Sequence, residues 1–188
     1  ELLERISHVG FLVQADRPHP LEEEEWSSFV MDDVRWHVED IREKNLPVEE
    51  ITALNHMAIY LRWCMEHDLM SVEFLEQHWD TAQRFQHDFS QLDLRVFIRD
   101  ELDGRLCSHL LDEEGAAFAR AYYGEEELYP QDVDQHALEY FGEERYHSDE
   151  FQNEAYLFVP FDEAYYQAMA AVIQGRFEQW QEETHTQS

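Results

Sequence analysis

The segment DDVRWHVED, residues 32–40, holds the side chains with the clearest capacity for chemistry. It places Asp32 and Asp33 a few positions before His37, with two further acids close behind. Carboxylates beside an imidazole can ligate a metal ion or exchange protons with a substrate. The DxDxDG spacing of a calcium loop is absent. The simpler interpretation is the solvated start of a helix or loop around a buried Trp36.

Two further histidines lie on a segment with strong helical character. His56 and His67 stand eleven positions apart, which places them on one stripe of a helix about 16 Å apart along its axis. That distance is too great for one metal ion, and the HExxH spacing of helical zinc sites is absent. We therefore predict that both are core residues whose ring nitrogens find partners, and that the chain has no metal site and no cofactor.

The nucleophile candidates have weak support in the sequence. Cys64 and His67 form an i, i+3 pair that could hydrogen-bond, but a nucleophilic thiolate needs an electropositive setting. Cys64 lies beside Met65 and Glu66 in a strongly anionic chain, which favours the thiol over the thiolate. Ser27 and Ser28 have no base near them, and the chain contains no GxSxG, P-loop or GxGxxG motif. We therefore predict no catalytic residue and no enzymatic activity.

Charge is the most extreme property of the chain. Forty-three Asp and Glu residues oppose thirteen Lys and Arg residues, which gives a formal charge of −30. Nucleic acids and anionic membrane surfaces repel such a protein, so both are excluded as direct partners. The excess acid indicates a basic protein partner, an acidic metal site or adaptation to high salt. The abundance of aromatic residues argues against adaptation to salt.

The cysteines and the apolar residues indicate a folded cytoplasmic protein. Cys64 and Cys107 fall in segments that we predict to be helical and buried, and they are most simply reduced thiols in the cytoplasm. No apolar run reaches the roughly 18 residues that a membrane-spanning helix needs. Apolar residues make up 44% of the chain, which is enough to fill one core.

The segment 121–164 interleaves acids with aromatic residues. It holds thirteen Asp and Glu residues and one base, Arg145. Such a surface suits the docking of a basic protein, because the acids steer the encounter and the rings supply buried anchors. The sequence equally allows rings that point inward beneath solvated acids. The predicted partner-binding residues are Glu125, Glu126, Glu127, Asp132, Asp134, Glu143, Glu144, Asp149, Glu150, Tyr129 and Tyr146.

Helices must position these side chains. Prolines, N-capping residues and terminal glycines predict a mainly α fold, a single-domain helical bundle or irregular helical array with at most a short β element. Strand-like patterns occur at LFVPF and, more weakly, at VGFLV. The predicted helical segments are 46–69, 71–89, 93–104, 110–124, 130–142 and 162–182.

The predicted organisation is one domain with short additions at each end. Residues 1–20 form an extension, as a strand or a short helix, that two prolines close off. Residues 21–183 form the single helical domain, and residues 184–188 form a disordered tail.

Three blocks of sequence together resemble a known group of proteins. They are DDVRWH, LPVEEITALNHMAIYLRWCMEHDL and DGRLCSHLLDEEGAAFARAYYG, within roughly residues 30–125. The pattern is similar to an uncharacterised bacterial family of immunity-type proteins associated with secreted antibacterial toxins, such as those of contact-dependent inhibition systems. The resemblance implies a neutralising role and no catalytic role. The positions that match the pattern are Asp33, Trp36, His37, His56 and Trp63.

The charge and the resemblance lead to one main hypothesis. The chain is an acidic immunity protein that binds a basic toxin domain, expected to be a nuclease, as a monomer in a 1:1 complex and occludes its active site. Two alternatives stay open. One is a metal-dependent hydrolase that uses Asp32, Asp33 and His37 with His56, and the other is a DNA mimic that inhibits a nucleic-acid-binding protein.

Overall fold

Helices account for most of residues 28–187, the part of the chain that this computed structural model describes. The mainly α single-domain fold predicted from the sequence is confirmed. None of the helices in this part of the chain is long and apolar enough to cross a membrane. In chain order, the α-helices are α1 (Val34–Glu43), α2 (Asn55–Glu66), α3 (Val72–Gln77), α4 (Trp79–His87), α5 (Leu94–Glu101), α6 (Glu113–Ala119), α7 (Leu128–Phe141), α8 (Glu143–Tyr146) and α9 (Glu163–Thr186).

Tighter and wider helical turns connect several of these helices. The wider one is π-helical and continues α6 directly, from Arg120 to Glu125. Such turns often mark functional sites, because they rotate the side chains that follow them. The 3₁₀ turns span Glu50–Leu54, Phe89–Gln91, Ser108–Leu110 and Ala155–Leu157.

Helix α2 forms the centre of the core. Almost every residue from its start to Met65 is buried, including Tyr60 and Trp63. A helix that is apolar around most of its girth must be covered on most sides, which the sequence predicts. The half-buried exception is Arg62, which pairs with Glu163 of α9 at 2.8 Å.

The two strands form a small antiparallel ladder beside the core. Strand β1 (Val30–Asp33) pairs with β2 (Arg105–Cys107), and the register shifts between Val30 and Asp32. A bulge of this kind redirects the side chains of the bulged strand. Residues 31–33 are accordingly all buried, although a regular strand would alternate.

A glycine closes the turn that leads into β2. Gly104 has φ +71°, and its carbonyl accepts a hydrogen bond from Val34 N–H at 2.8 Å. A Cβ at this position would lie 2.5 Å from Cγ1 of Val34. Only glycine fits, both because φ is positive and because α1 begins so close to the turn. The predicted end of the helix near Gly104 follows from the same geometry, since α5 stops just before this turn.

Several predicted boundaries differ from the observed ones. The segment 71–89 is two helices, because the backbone leaves the helical region at His78 with ψ 39°. The segment LFVPF forms no strand: its apolar side chains Leu157 and Val159 are buried in the core instead of pairing with a neighbouring strand. Helix α9 continues to Thr186, so residues 184–186 are helical where a disordered tail was expected.

Cys107 also differs from its prediction. It lies in β2 and is half-buried, whereas we expected it in a buried helix; Cys64 is buried in α2 as predicted. The two cysteines form no disulfide with each other. The predicted extension 1–20, including VGFLV, lies outside the described residues.

Candidate functional site

The carboxylate of Asp32 is the centre of a buried polar cluster. Its side chain is 6% exposed, and each of its oxygens accepts two hydrogen bonds. Oδ1 accepts from the backbone N–H of Asp33 at 2.8 Å and lies 2.6 Å from Nε2 of His37. Oδ2 lies 2.8 Å from Nε2 of His56 and accepts from the hydroxyl of Tyr123. Every lone pair of this carboxylate is therefore engaged.

Four elements bring these side chains together. The bulge in β1 directs Asp32 inward, and α1 begins directly afterwards and carries His37 near its start. His56 is the second residue of α2. Tyr123 lies within the π-helical turn after α6, whose wider geometry changes the direction in which the side chains of this turn point. The cluster therefore ties the ladder to the central helix and to that turn.

Tyr156 completes the cluster on its outer side. Its hydroxyl lies 2.7 Å from Nδ1 of His37. Nε2 of that ring donates to the carboxylate, and in the neutral form of the ring Nδ1 accepts from the tyrosine hydroxyl. The rings of His37 and His56 meet edge to face, with centroids 4.5 Å apart. His37 is the most accessible member, with 19% of its side chain exposed.

The cluster holds an anion among hydrogen-bond donors. Burial opposes ionisation of Asp32, but the neighbouring His56 and His37 outweigh it, and the pKa of Asp32 lies well below its ordinary value. Burial also lowers the pKa of His56, so that this imidazole is neutral at pH 7. Burial raises the pKa of Tyr123 and of Tyr156, so both hydroxyls remain protonated donors.

One atom of the cluster lacks a hydrogen-bond partner. Nδ1 of His56 is buried, and no described residue donates to it or accepts from it. The ligand atoms of Asp32, His37 and His56 all lie within 4.8 Å of one another. Two imidazoles and a carboxylate are a common ligand set for zinc and for non-haem iron.

Only Asp32 and His37 of the segment 32–40 join the polar cluster. Asp33 turns away from the cluster: it caps α1 by accepting from Arg35 N–H at 2.9 Å and pairs with the Arg35 guanidinium at 2.6 Å. Trp36 is 54% exposed, where a buried ring was expected. Tyr123 and Tyr156 were missed, because their partners are at least 91 positions away in the sequence.

The two histidines of α2 have different environments. The prediction of a buried histidine is confirmed for His56 and is wrong for His67, which is exposed at the end of the helix. His67 stacks on Trp63 with ring centroids 4.3 Å apart and bonds to the Trp63 carbonyl through Nδ1. Trp63 itself is fully buried.

Most of the predicted partner-binding acids are exposed. They form two groups on either side of α7. The first acidic cluster precedes the helix and consists of Glu125, Glu126 and Glu127. The second acidic cluster follows the helix and consists of Glu143, Glu144, Asp149 and Glu150.

The other four predicted partner-binding residues serve internal contacts. Asp132 is half-buried and accepts two bonds from Arg176 of α9. Asp134 accepts a bond from the half-buried Tyr146 at 2.6 Å. Tyr129 cannot contact a partner, because it is fully buried and its hydroxyl donates to the carbonyl of His56.

Ser28 has a histidine neighbour that the sequence did not show. Its hydroxyl lies 3.0 Å from Nδ1 of His109 and 3.2 Å from the hydroxyl of Ser108. The same hydroxyl also accepts the backbone N–H of His109. These contacts close the turn after β2, and this structural role accounts for the pairing of Ser28 with His109.

Comparison with known proteins gives one match. No curated protein and no solved structure matches the chain. Residues 30–148, well over half of the chain, match the model of a family described as a domain of unknown function. This range includes Asp32, His37, His56 and Tyr123 and stops short of Tyr156. The chain therefore belongs to the DUF7832 family.

Proposed function

We propose that the chain is an acidic immunity-type protein that captures a basic toxin domain in the cytoplasm and blocks its active site. One observation carries the proposal: two exposed acidic clusters lie at opposite ends of one rigid helix, α7. The net charge of −30 supports a cationic partner and opposes any polyanionic one.

The spacing of the two clusters suits an extended cationic cleft. Helix α7 has fourteen residues, so its ends lie about 21 Å apart. Carboxylates at both ends would stand where the phosphates of a nucleic acid lie in a nuclease, which is the toxin class we expect. Arg145, the one base in this stretch of sequence, lies 5.0 Å over the ring of Phe141.

Helix α7 is held firmly to the rest of the protein. Asp132 receives both Arg176 bonds at 2.9 Å and the hydroxyl of Tyr122 at 2.6 Å. The inner face of helix α7, including Tyr129 and Val133, is buried. A platform that does not have to be ordered on binding loses less conformational entropy.

An aromatic anchor is available on the same helix. Tyr140 is 54% exposed, one turn before the second acidic cluster. Partly exposed tyrosines are enriched among residues that dominate binding energy. Tyr140 therefore replaces Tyr129 as the proposed anchor, while Tyr146 remains half-buried at the edge.

Co-expression and association kinetics test the proposal. The probe is the C-terminal domain encoded by the gene adjacent to this one, expressed with and without the chain. We expect rescue from toxicity and a 1:1 complex, with an association rate constant that approaches about 10⁸ M⁻¹s⁻¹ at low salt and falls steeply with added salt.

Charge-neutralised variants locate the surface. Replacing Glu125, Glu126 and Glu127 by Gln removes three charges from the first acidic cluster and should slow association at least about tenfold. The matched control removes three exposed charges from α9, by replacing Glu178, Glu182 and Glu183 with Gln. Equal association rates for the two variants, or a rate insensitive to salt, would contradict the proposal.

A further inference from the structure

The Asp32 cluster has the composition of a metal site rather than of an ordinary core contact. A buried carboxylate needs donors, but two imidazoles from separate helices converge here on one carboxylate. Burying polar and charged side chains costs free energy, and a protein in which apolar side chains of similar volume replace them is often as stable.

We infer that Asp32, His37 and His56 bind one divalent transition-metal ion. Two ligands of a single zinc ion lie at most about 4.2 Å apart, because each bond is about 2.1 Å long. The three ligand atoms already lie within 4.8 Å of one another. To bind the ion, the two imidazole nitrogens give up the protons that they now donate to Asp32, and the nitrogen–oxygen distances of 2.6 and 2.8 Å widen to about 3.4 Å, the separation of two ligands of a tetrahedral ion.

The surroundings of Asp32 and His37 match those of metal-binding residues. A metal-ligating histidine usually has its second nitrogen hydrogen-bonded, and ligating carboxylates are themselves hydrogen-bonded. Nδ1 of His37 contacts Tyr156 at 2.7 Å, and Asp32 accepts bonds from Tyr123 and from the backbone. These outer contacts fix the ligands in orientation before an ion arrives.

Nδ1 of His56 is buried and has no hydrogen-bond partner among the described residues. With Nε2 of His56 as the ligand, Nδ1 carries the proton of the neutral imidazole, so this ring lacks the outer hydrogen bond that His37 has. The convergence of the three ligand atoms, and not this nitrogen, therefore indicates the ion.

The ligand set selects the class of metal. Two imidazoles and one carboxylate suit Zn²⁺, Fe²⁺, Co²⁺ or Ni²⁺, whereas Mg²⁺ and Ca²⁺ prefer oxygen ligands alone. Three protein ligands leave at least one coordination position open. The partial exposure of His37 provides a route for the ion from solvent to the site.

Titration of the full chain tests this inference independently of any toxin. The protein is stripped with a chelator and titrated with Zn²⁺ by calorimetry and with Co²⁺ by visible absorption. We expect one equivalent to bind, with d–d absorption bands of Co²⁺ in nitrogen and oxygen coordination. Zn²⁺ should also raise the melting temperature.

Variants separate this site from adventitious binding by surface acids. His37→Gln and His56→Gln should each weaken Zn²⁺ binding at least about 100-fold, and Tyr156→Phe about 10-fold or more, because it removes an outer hydrogen bond. His136→Gln is the control, since this half-buried histidine contacts Tyr165 outside the cluster. Circular dichroism of each variant confirms that it is folded.

Two results would overturn the inference. One is the absence of one-equivalent binding to the stripped protein. The other is undiminished Zn²⁺ affinity in both His37→Gln and Tyr156→Phe, which would assign the ion to exposed acids. If His56→Gln does not fold, the more accessible His37 and the peripheral Tyr156 still decide the question.

Discussion

Two adjacent aspartates offer a sharp test of how the cluster stabilises the fold. Asp32 and Asp33 are both buried, and each accepts hydrogen bonds from a cationic or imidazole side chain and from backbone. Replacing each by Asn removes one charge and changes almost no volume. We expect the two variants to differ strongly in stability, because their surroundings differ.

The magnitude follows from the number of donors. Asn at position 32 keeps one oxygen, so two of the four donors now face an NH₂ group that cannot accept. A lost hydrogen bond to a buried charge costs about 1.5–3 kcal/mol, partly offset because Asn is easier to bury. We therefore expect Asp32→Asn to lower the free energy of unfolding by about 3 kcal/mol.

The Asp33→Asn change should cost far less. Asn is as good an N-cap as Asp, so the bond from Arg35 N–H survives. The remaining loss is an ion pair to an Arg35 side chain that is mostly exposed, and such pairs contribute at most about 1 kcal/mol.

Urea denaturation of the metal-free protein measures both changes. The urea concentrations at the midpoints of unfolding are compared. Equal m-values, the dependence of the unfolding free energy on urea, confirm that the variants unfold in the same transition. If Asp32→Asn costs no more than Asp33→Asn, the four-donor description of Asp32 is refuted.

Three further predictions concern backbone and pH. Gly104→Ala should destabilise the fold by about 2–4 kcal/mol in urea denaturation, because φ is positive and the new Cβ meets Val34. Gly175→Ala should stabilise it by about 0.5–1 kcal/mol, because this helical position is open and Ala favours helix; a loss would show an undetected contact. The lowered pKa of Asp32 adds stability that is present above about pH 4, the unfolded pKa, and is lost as the pH falls further. Acid titration of stability below pH 4 should therefore be shallower in Asp32→Asn, and an unchanged slope would contradict the assignment.

Local sequence patterns predict much of the helical architecture. Helix α9 begins where Asp162 caps it, and α7 ends at Gly142, because capping and terminal glycines act over a few residues. The burial of α2 also follows from its own composition. The break at His78 and the irregular LFVPF segment depend on tertiary packing, which a local pattern does not contain.

The cluster is only half visible in the sequence for the same reason. Asp32 and His37 are five positions apart and draw attention together. Which of the two adjacent aspartates joins the polar cluster depends on a β-bulge, and the bulge depends on pairing with a strand more than 70 positions away. The tyrosines join through contacts that no spacing rule anticipates.

The Asp32 cluster and the first acidic cluster share one structural element. The π-helical turn Arg120–Glu125 carries Tyr123, which donates to Asp32, and it ends at the first exposed glutamate of that surface. We expect a change at Asp32 to loosen the turn and to displace the acids beyond it, because Asp32 is the acceptor for the Tyr123 hydroxyl. His37 bonds to the other carboxylate oxygen and does not contact the turn. We therefore expect a change at His37 to affect the proposed metal binding alone and a change at Asp32 to affect the proposed partner capture as well, because only Asp32 contacts both the imidazoles and Tyr123.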